Sequence, residues 1–210
     1  MIMVHGDDHG LRLPPTIAPH QVVVLQLDDN SDNDSSEVAD AAARIVAELR
    51  AAGVRAHLDA RTHTSFGRRS VDWELKGVPV RIELGARELA SGQATLVRRD
   101  DRSKGGVPID GAARAAAALL DEIQEVLLAA SRSFREEHTQ PVTDFAEFTR
   151  RVGDGGLFLA GWSGTEESEQ ALGEGTGATI RCIVDAEPPS PSCLITGAPA
   201  KHTVLIGRAY

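Results

Sequence analysis

The chain has 210 residues, 41% of them apolar and 25% charged, which is the balance of a globular protein able to bury a core; with aromatics at only 4%, that core rests on Val, Leu, Ile and Ala. A formal net charge of -9 excludes a protein coated in basic charge for nonspecific nucleic-acid binding, although it leaves room for a local basic site. Two cysteines, Cys182 and Cys193, suit a reducing cytoplasm better than a disulfide scaffold, and no apolar run approaches the roughly 20 residues of a membrane span.

In chain order, residues 1–4 are apolar and read as extended, followed by a polar cluster: His5, Gly6, Asp7, Asp8, His9, Gly10. Two histidines and two aspartates so close together offer metal ligands. Their spacing in a Gly-bounded loop makes a poor tetrahedral cage, and judged alone the stretch is a solvated loop. Residues 21–27 (QVVVLQL) are a β-branched run that reads as a buried strand. An acidic, Asn/Ser-rich loop spans 28–36, with a helix N-cap at Ser35 or Ser36. The spacing of Val38, Ala42, Ile45, Val46 and Leu49 predicts a helix over 37–52, stopped by Gly53. A second strand at 54–58 completes a β–α–β unit with parallel strands. A short helix at 67–76 ends at Gly77. Val80, Ile82 and Leu84 then alternate with Arg81 and Glu83, predicting a third strand whose polar face points away from the core. A fourth strand falls at 94–97, a polar turn at 100–106, and a long amphipathic helix over 112–135. A second unit follows: a helix at 144–152 with Phe145 and Phe148 inward, a strand at 157–160, a helix at 166–172, and a strand at 179–184. A Pro-rich loop (AEPPSPS) comes next, and 194–195 with 202–206 suggest a closing hairpin. The expected architecture is two α/β modules joined by the long helix.

Three features carry candidate chemistry. In VDWELKGVPVRIELGAREL, Arg81 and Glu83 share one face of a strand. Arginine is the usual partner for bidentate contact with guanine, and a carboxylate accepts from base amino groups. Splayed bases of RNA loops are read by such groups. An ordinary surface pairing of Arg81 with Glu83, or of Glu74 with Lys76, explains the same residues. Arg98, Arg99, Arg102 and Lys104 gather around the polar turn as a phosphate site or as a solvated turn. Cys182 and Cys193 alone do not close a zinc site. GDGG (153–156) and GEGTG (173–177) read as turns rather than nucleotide cradles.

Taken together and in order, HGDDHGLRLPPTIAPHQVVV, DWELKGVPVRIELG and the ending PAKHTVLIGRAY resemble the C-terminal part of prolyl-tRNA synthetases of the archaeal/eukaryotic-like class II form. The resemblance implies an α/β fold: a mixed-sheet anticodon-binding domain at 19–134, then a smaller α/β C-terminal domain at 135–210. Residues 1–18 would be the remnant of the catalytic domain's last strand and loop. Class II motifs 1 and 2, the motif 3 arginine and the proline pocket have no counterpart here. The chain alone is therefore expected to be inactive and to need no cofactor, ATP and Mg ions belonging to the full enzyme. Residue by residue, the resemblance carries anticodon recognition to Glu74 and Arg81, and to Lys104 as the nearest match to a further lysine. His5, Asp7, Asp8 and the terminal Tyr210 would face the active site of the full enzyme. Many relatives carry four cysteines in the last domain. Ser163, Ser168, Cys193 and Thr196 take those positions here, so no structural metal is expected. Apolar packing through Leu157, Leu159, Ile180, Ile183 and Ile206 would hold that domain instead.

The expected role is therefore recognition of proline tRNA in a cytoplasmic proline–tRNA ligase, with a catalytic domain in cis or in trans and no membrane or DNA partner. Two rivals stand beside it. One is a stand-alone protein-interaction or regulatory module that has lost RNA binding. The other is an inactive remnant with an exposed apolar face near residues 1–4.

Overall fold

The computed structural model describes residues 2–27, 34–184, 186–187 and 189–208, with 34 and 35 described by backbone alone. It is a mixed α/β structure that divides into two compact units, Met1–Ala129 and Ala130–Tyr210, the division falling inside one long helix.

The first unit opens with α1 (Ile2–His5), a single helical turn, and a hairpin of β1 (Gly6–Asp7) and β2 (Gly10–Leu11). Of the extended start expected for residues 1–4, residue 1 lies outside the described residues and 2–4 are helical, because so short an apolar run has no periodicity to separate the two states. Then follow β3 (Val22–Gln26), α2 (Asp34–Ala51), β4 (Ala56–Asp59), α3 (Phe66–Leu75), β5 (Val80–Leu84), α4 (Ala86–Ala90), β6 (Gln93–Arg98), β7 (Lys104–Pro108) and α5 (Ala112–Glu137). Ser35 and Ser36 lie inside α2 rather than capping it. Most of the acidic loop expected before α2, residues 28–33, lies outside the described residues.

These strands form one sheet in the order β4-β3-β5-β6-β7. The β3–β4 and β3–β5 pairs are parallel; β5–β6 and β6–β7 are antiparallel. The parallel β–α–β unit is as the sequence pattern predicts. The strand β7 is not: Lys104, Gly105 and Gly106 read as turn, yet they pair with β6 at the sheet edge. Glycines are admitted there because an edge strand has little to pack against.

The two faces of this sheet differ. One carries Val22, Val24, Val80, Ile82, Leu84, Ala94 and Leu96, packed against the apolar stripes of α2 and α5. The other carries Val23 and Leu25, covered by Trp73 of α3 and by Val78. Strand register places Arg81 beside Val23 and Glu83 beside Leu25, on that second face.

The second unit consists of β8 (Thr139–Pro141), α6 (Phe145–Arg151), β9 (Leu157–Trp162), α7 (Glu166–Thr176), β10 (Ala178–Val184) and β11 (His202–Arg208), with sheet order β10-β11-β9-β8. Asp144 caps α6 by accepting from the Glu147 amide, and Thr165 caps α7 by accepting from the Ser168 amide. The closing hairpin expected between 194–195 and 202–206 does not form. Instead β11 inserts between β9 and β10, antiparallel to both. Of the residues expected to pack this domain, Ile206 is in the core and Ile180 packs against it, whereas β9 turns its other face inward. Phe158, Ala160, Val204, Ile206, Phe148 and Leu172 are buried together. Leu157 and Leu159 are only partly covered, and Ile183 is exposed. The helices cover a single face of β9, so alternate residues decide which side is core.

Candidate nucleic-acid interface

The Arg81 side chain lies on the central strand of the first sheet, where it is 6% exposed rather than pointing into solvent as the alternation of β5 predicts. Strand β5 has a neighbour on both sides, and α3 covers the polar face, so both of its faces are interior. Taking a guanidinium out of water is expensive unless its N–H groups are satisfied. Two carboxylates meet that need. The Nε of Arg81 donates to Glu83 Oε1 at 2.8 Å, and Nη1 donates to Glu74 Oε1, on α3, at 3.0 Å. Among the described residues Nη2 has no hydrogen-bond partner and is not among the fully buried unsatisfied atoms, so it keeps some access to solvent. The Nζ of Lys104, from the edge strand, stands 4.0 Å from Glu83 Oε1. The structure therefore brings Glu74, Arg81 and Lys104 together, with Glu83 at their centre.

Glu74, Arg81 and Lys104 line a cleft of about 180 Å3, with Glu83 behind Arg81 rather than in the lining; the wall also includes Trp73, Arg99, Arg102 and His9. A purine base is a planar group of this scale, and the wall offers donors, a carboxylate and an indole. The four cations near the β6–β7 turn are not equivalent. Arg98 is neutralised by Asp100 at 2.8 Å and Glu122 at 3.1 Å. Arg99, 4% exposed, grips Asp7 with both terminal nitrogens, at 2.9 and 2.5 Å. Among the described residues Arg102 contacts only the Nε2 of exposed His9, at 2.7 Å, and Lys104 remains half exposed. All four cations border the cleft, but Arg98 and Arg99 are held by carboxylates, while Arg102 and Lys104 are the more loosely engaged pair.

The HGDDHG stretch is ordered by this cleft. Its Asp7 carboxyl is held well below the usual carboxylate range, first by the Arg99 hydrogen bonds and, against the opposing effect of burial, by the His9 amide and Arg12. Asp8 is exposed, and His5 is partly buried. Two glycines permit the docking. Gly10 has φ +127° and backs onto the Glu74–Leu75 backbone; Gly77 has φ +72° and backs onto Leu11. At either one a Cβ would come within 2.6 Å of an existing atom. Tyr210, expected to face an active site, lies outside the described residues.

Beneath the cleft lies a buried network that the sequence reading missed. Asp59, at the end of β4 and 1% exposed, accepts from Trp73 Nε1 at 2.6 Å, from Arg61 Nη2 at 2.8 Å and from Arg69 Nε at 3.2 Å. Arg69, 2% exposed, also donates to the carbonyls of Gln26, at 2.8 Å, and Asp59. Burial alone would raise the Asp59 pKa, but hydrogen bonds from Arg61 and Trp73 and the Arg69 charge hold it below the ordinary range. The result fixes Trp73 and hence the wall of the cleft.

In the second unit, the four positions at which the resemblance implies cysteines do come together. Trp162 Nε1 donates to Ser168 Oγ at 2.8 Å, and Ser163 Oγ donates to it at 3.2 Å. Ser168 in turn donates to the Thr165 carbonyl at 2.7 Å. The Cys193 thiol is lowered to about 7: burial works to raise it, and hydrogen bonds from Thr196 and Ser163 outweigh that. These residues do not fit a tetrahedral zinc site, which takes thiolate, imidazole or carboxylate ligands; here one thiol stands among neutral hydroxyls already engaged with one another. Among the described residues no group of three or more His, Cys, Asp or Glu is placed to hold a metal, and no helix is long and apolar enough to cross a membrane.

Residues 21–119 match the family described as "Anticodon binding domain", and residues 145–210 match "Prolyl-tRNA synthetase, C-terminal". The whole chain is similar to proteins named proline–tRNA ligase. It is 39% identical to that of Porphyromonas gingivalis over 211 residues, 39% identical to that of Roseiflexus castenholzii over 214, and 42% identical to that of Rubrobacter xylanophilus over 211. It spans 43% of the first of these proteins and 44% of the other two, less than half their length.

Proposed function

The chain belongs to the prolyl-tRNA synthetase family, in the portion that carries the anticodon-binding domain, and from that premise we propose that it selects proline tRNA by reading the guanines of the anticodon. Residues 19–134 are the recognition domain and 135–210 the C-terminal domain. Within the ligase this portion chooses the tRNA, while a catalytic domain carries out the proline activation that uses ATP and Mg ions. A tRNA ligase of this kind works in the cytoplasm.

The observation that carries this reading is the convergence of Glu74, Arg81 and Lys104 on one base-sized cleft, from a helix, a central strand and an edge strand. Arg81 supplies donors for a guanine O6 and N7, and Glu74, the more exposed of its two carboxylate partners, accepts from a base amino group. Arg102 and Lys104 lie at the rim, where phosphates of the anticodon loop would pass. His5, Asp7 and Asp8 are assigned to the side toward the catalytic domain, with Asp7 anchored through Arg99. The C-terminal unit is read as metal-independent, its hydroxyl cluster holding the loops that a zinc ion would otherwise join.

Arg81→Ala is expected to weaken binding of proline tRNA by about 1–3 kcal/mol and to relax the preference for its anticodon. Unchanged affinity and unchanged preference in that variant would overturn the assignment.

A further inference from the structure

Arg81 has two carboxylate partners, and they are not alike. Glu83 is on the same strand, two residues on and therefore on the same face. Its side chain is 10% exposed, and its partner atom is Nε, the nitrogen nearest the chain. Glu74 is on a helix, its side chain is 31% exposed, and it holds Nη1 at the far end of the group. Bidentate reading of guanine needs two N–H groups on one edge of the guanidinium, directed at O6 and N7. A planar fork rotates about its last bonds, so an acceptor fixed at Nε decides where the outer edge points. Strand β5 is locked between β3 and β6, which makes Glu83 a fixed acceptor and leaves Glu74 the one an incoming base can displace.

We propose that Glu83 is a positioning residue for anticodon discrimination: it binds the inner Nε of Arg81, sets the angle of the guanidinium and so directs Nη1 and Nη2 at a guanine base. This rests on the anticodon reading of the cleft. Without Glu83 the guanidinium turns onto Glu74 with two nitrogens, and the edge meant for the base is closed. The loss falls on the cognate base alone, because a swapped base never had that contact.

The test is binding of the full chain, and of its Glu83→Ala and Glu83→Gln variants, to proline tRNA and to the same tRNA with its anticodon guanines replaced, beside thermal unfolding of each protein. Glu83→Ala is expected to lower affinity for the natural tRNA about tenfold, leave affinity for the swapped tRNA unchanged, and so flatten the preference. Glu83→Gln keeps an oxygen that accepts from Nε and is expected to retain most of the preference. Should Glu83→Ala show no cooperative unfolding, Glu83→Asp replaces it. The aspartate keeps the charge but is one methylene too short to reach Nε, and it too is expected to lose the preference. A full preference in the Ala or Asp variant, or a parallel loss for both tRNAs, overturns the proposal while leaving the cleft reading intact. A lack of preference in the unmodified chain overturns both.

Discussion

The first unit buries charges and the second, among the described residues, does not. Among the described residues the first buries Asp59, Arg69, Arg81, Glu83 and Arg99, charged and ion-paired, beside neutral Gln26 and Ser70; the second buries Ser163, Ser168 and Thr203, all neutral hydroxyls. A buried charge is desolvated at a cost of several kcal/mol, and replacing such a pair with apolar groups is often neutral or stabilising. A hydroxyl satisfied by one or two neighbours costs far less. Stapling loops together needs only the second kind. The first kind is retained where charge meets a ligand, and in this molecule it concentrates on the α3 face that forms the cleft.

The contrast can be broken most forcefully at Arg69. Arg69→Met leaves the Asp59 carboxylate, 1% exposed, short of a cationic partner, and is expected to destabilise the first unit by about 3–5 kcal/mol. Each unit holds one of the two tryptophans, Trp73 and Trp162, so denaturant unfolding followed by fluorescence reads both. A loss under about 1 kcal/mol would mean that the buried charges are not needed to hold the fold. A smaller loss, about 1–3 kcal/mol, is expected in the second unit from Ser168→Ala, which strips Trp162 Nε1 of its acceptor. An unchanged transition there would remove the hydroxyl cluster from the account.

Acid and base should separate the units further. Asp7 and Asp59 both have folded pKa values below the ordinary carboxylate range, so the stability they contribute is present above that range and is lost as pH falls below about 4. Cys193 is an acid lowered from 9.0 to about 7, so its contribution is full above 9.0 and is lost as pH falls through about 7. Acid titration is expected to unfold the first unit first. Cys193→Ser is expected to abolish the stability change of the second unit between pH 7 and 9; persistence of that change would assign it elsewhere. The smallest expected effect is none at all: a metal chelator leaves the thermal transition of the second unit in place, and a chelator-induced drop would refute metal independence.

The sequence revealed much of this architecture because period and punctuation agree with it. The run 21–27 and the stripe of α2 announce a parallel unit, and Gly53 and Gly77 end their helices where expected. It misled wherever partners come from afar. The alternation in β5 marks Arg81 and Glu83 as polar, but burial of that face depends on α3, which no local pattern encodes. β11 sits at the centre of its sheet rather than in a hairpin, because strand order is a long-range choice. Arg81 and Glu74 were found through resemblance and base chemistry together. Asp59 and Arg69 were missed because a buried ion pair leaves no periodic trace. The split among Arg98, Arg99, Arg102 and Lys104 depends on acids distant in the chain, Asp7 and Glu122.

The most direct test of the account is the affinity of the purified, unmodified chain for proline tRNA beside the same tRNA with its anticodon guanines replaced. A clear preference for the natural anticodon is the predicted result and would establish the α3 face as a working recognition site. Equal affinity for both, or binding to neither, would contradict it and leave the buried charges of the first unit without a ligand to explain them.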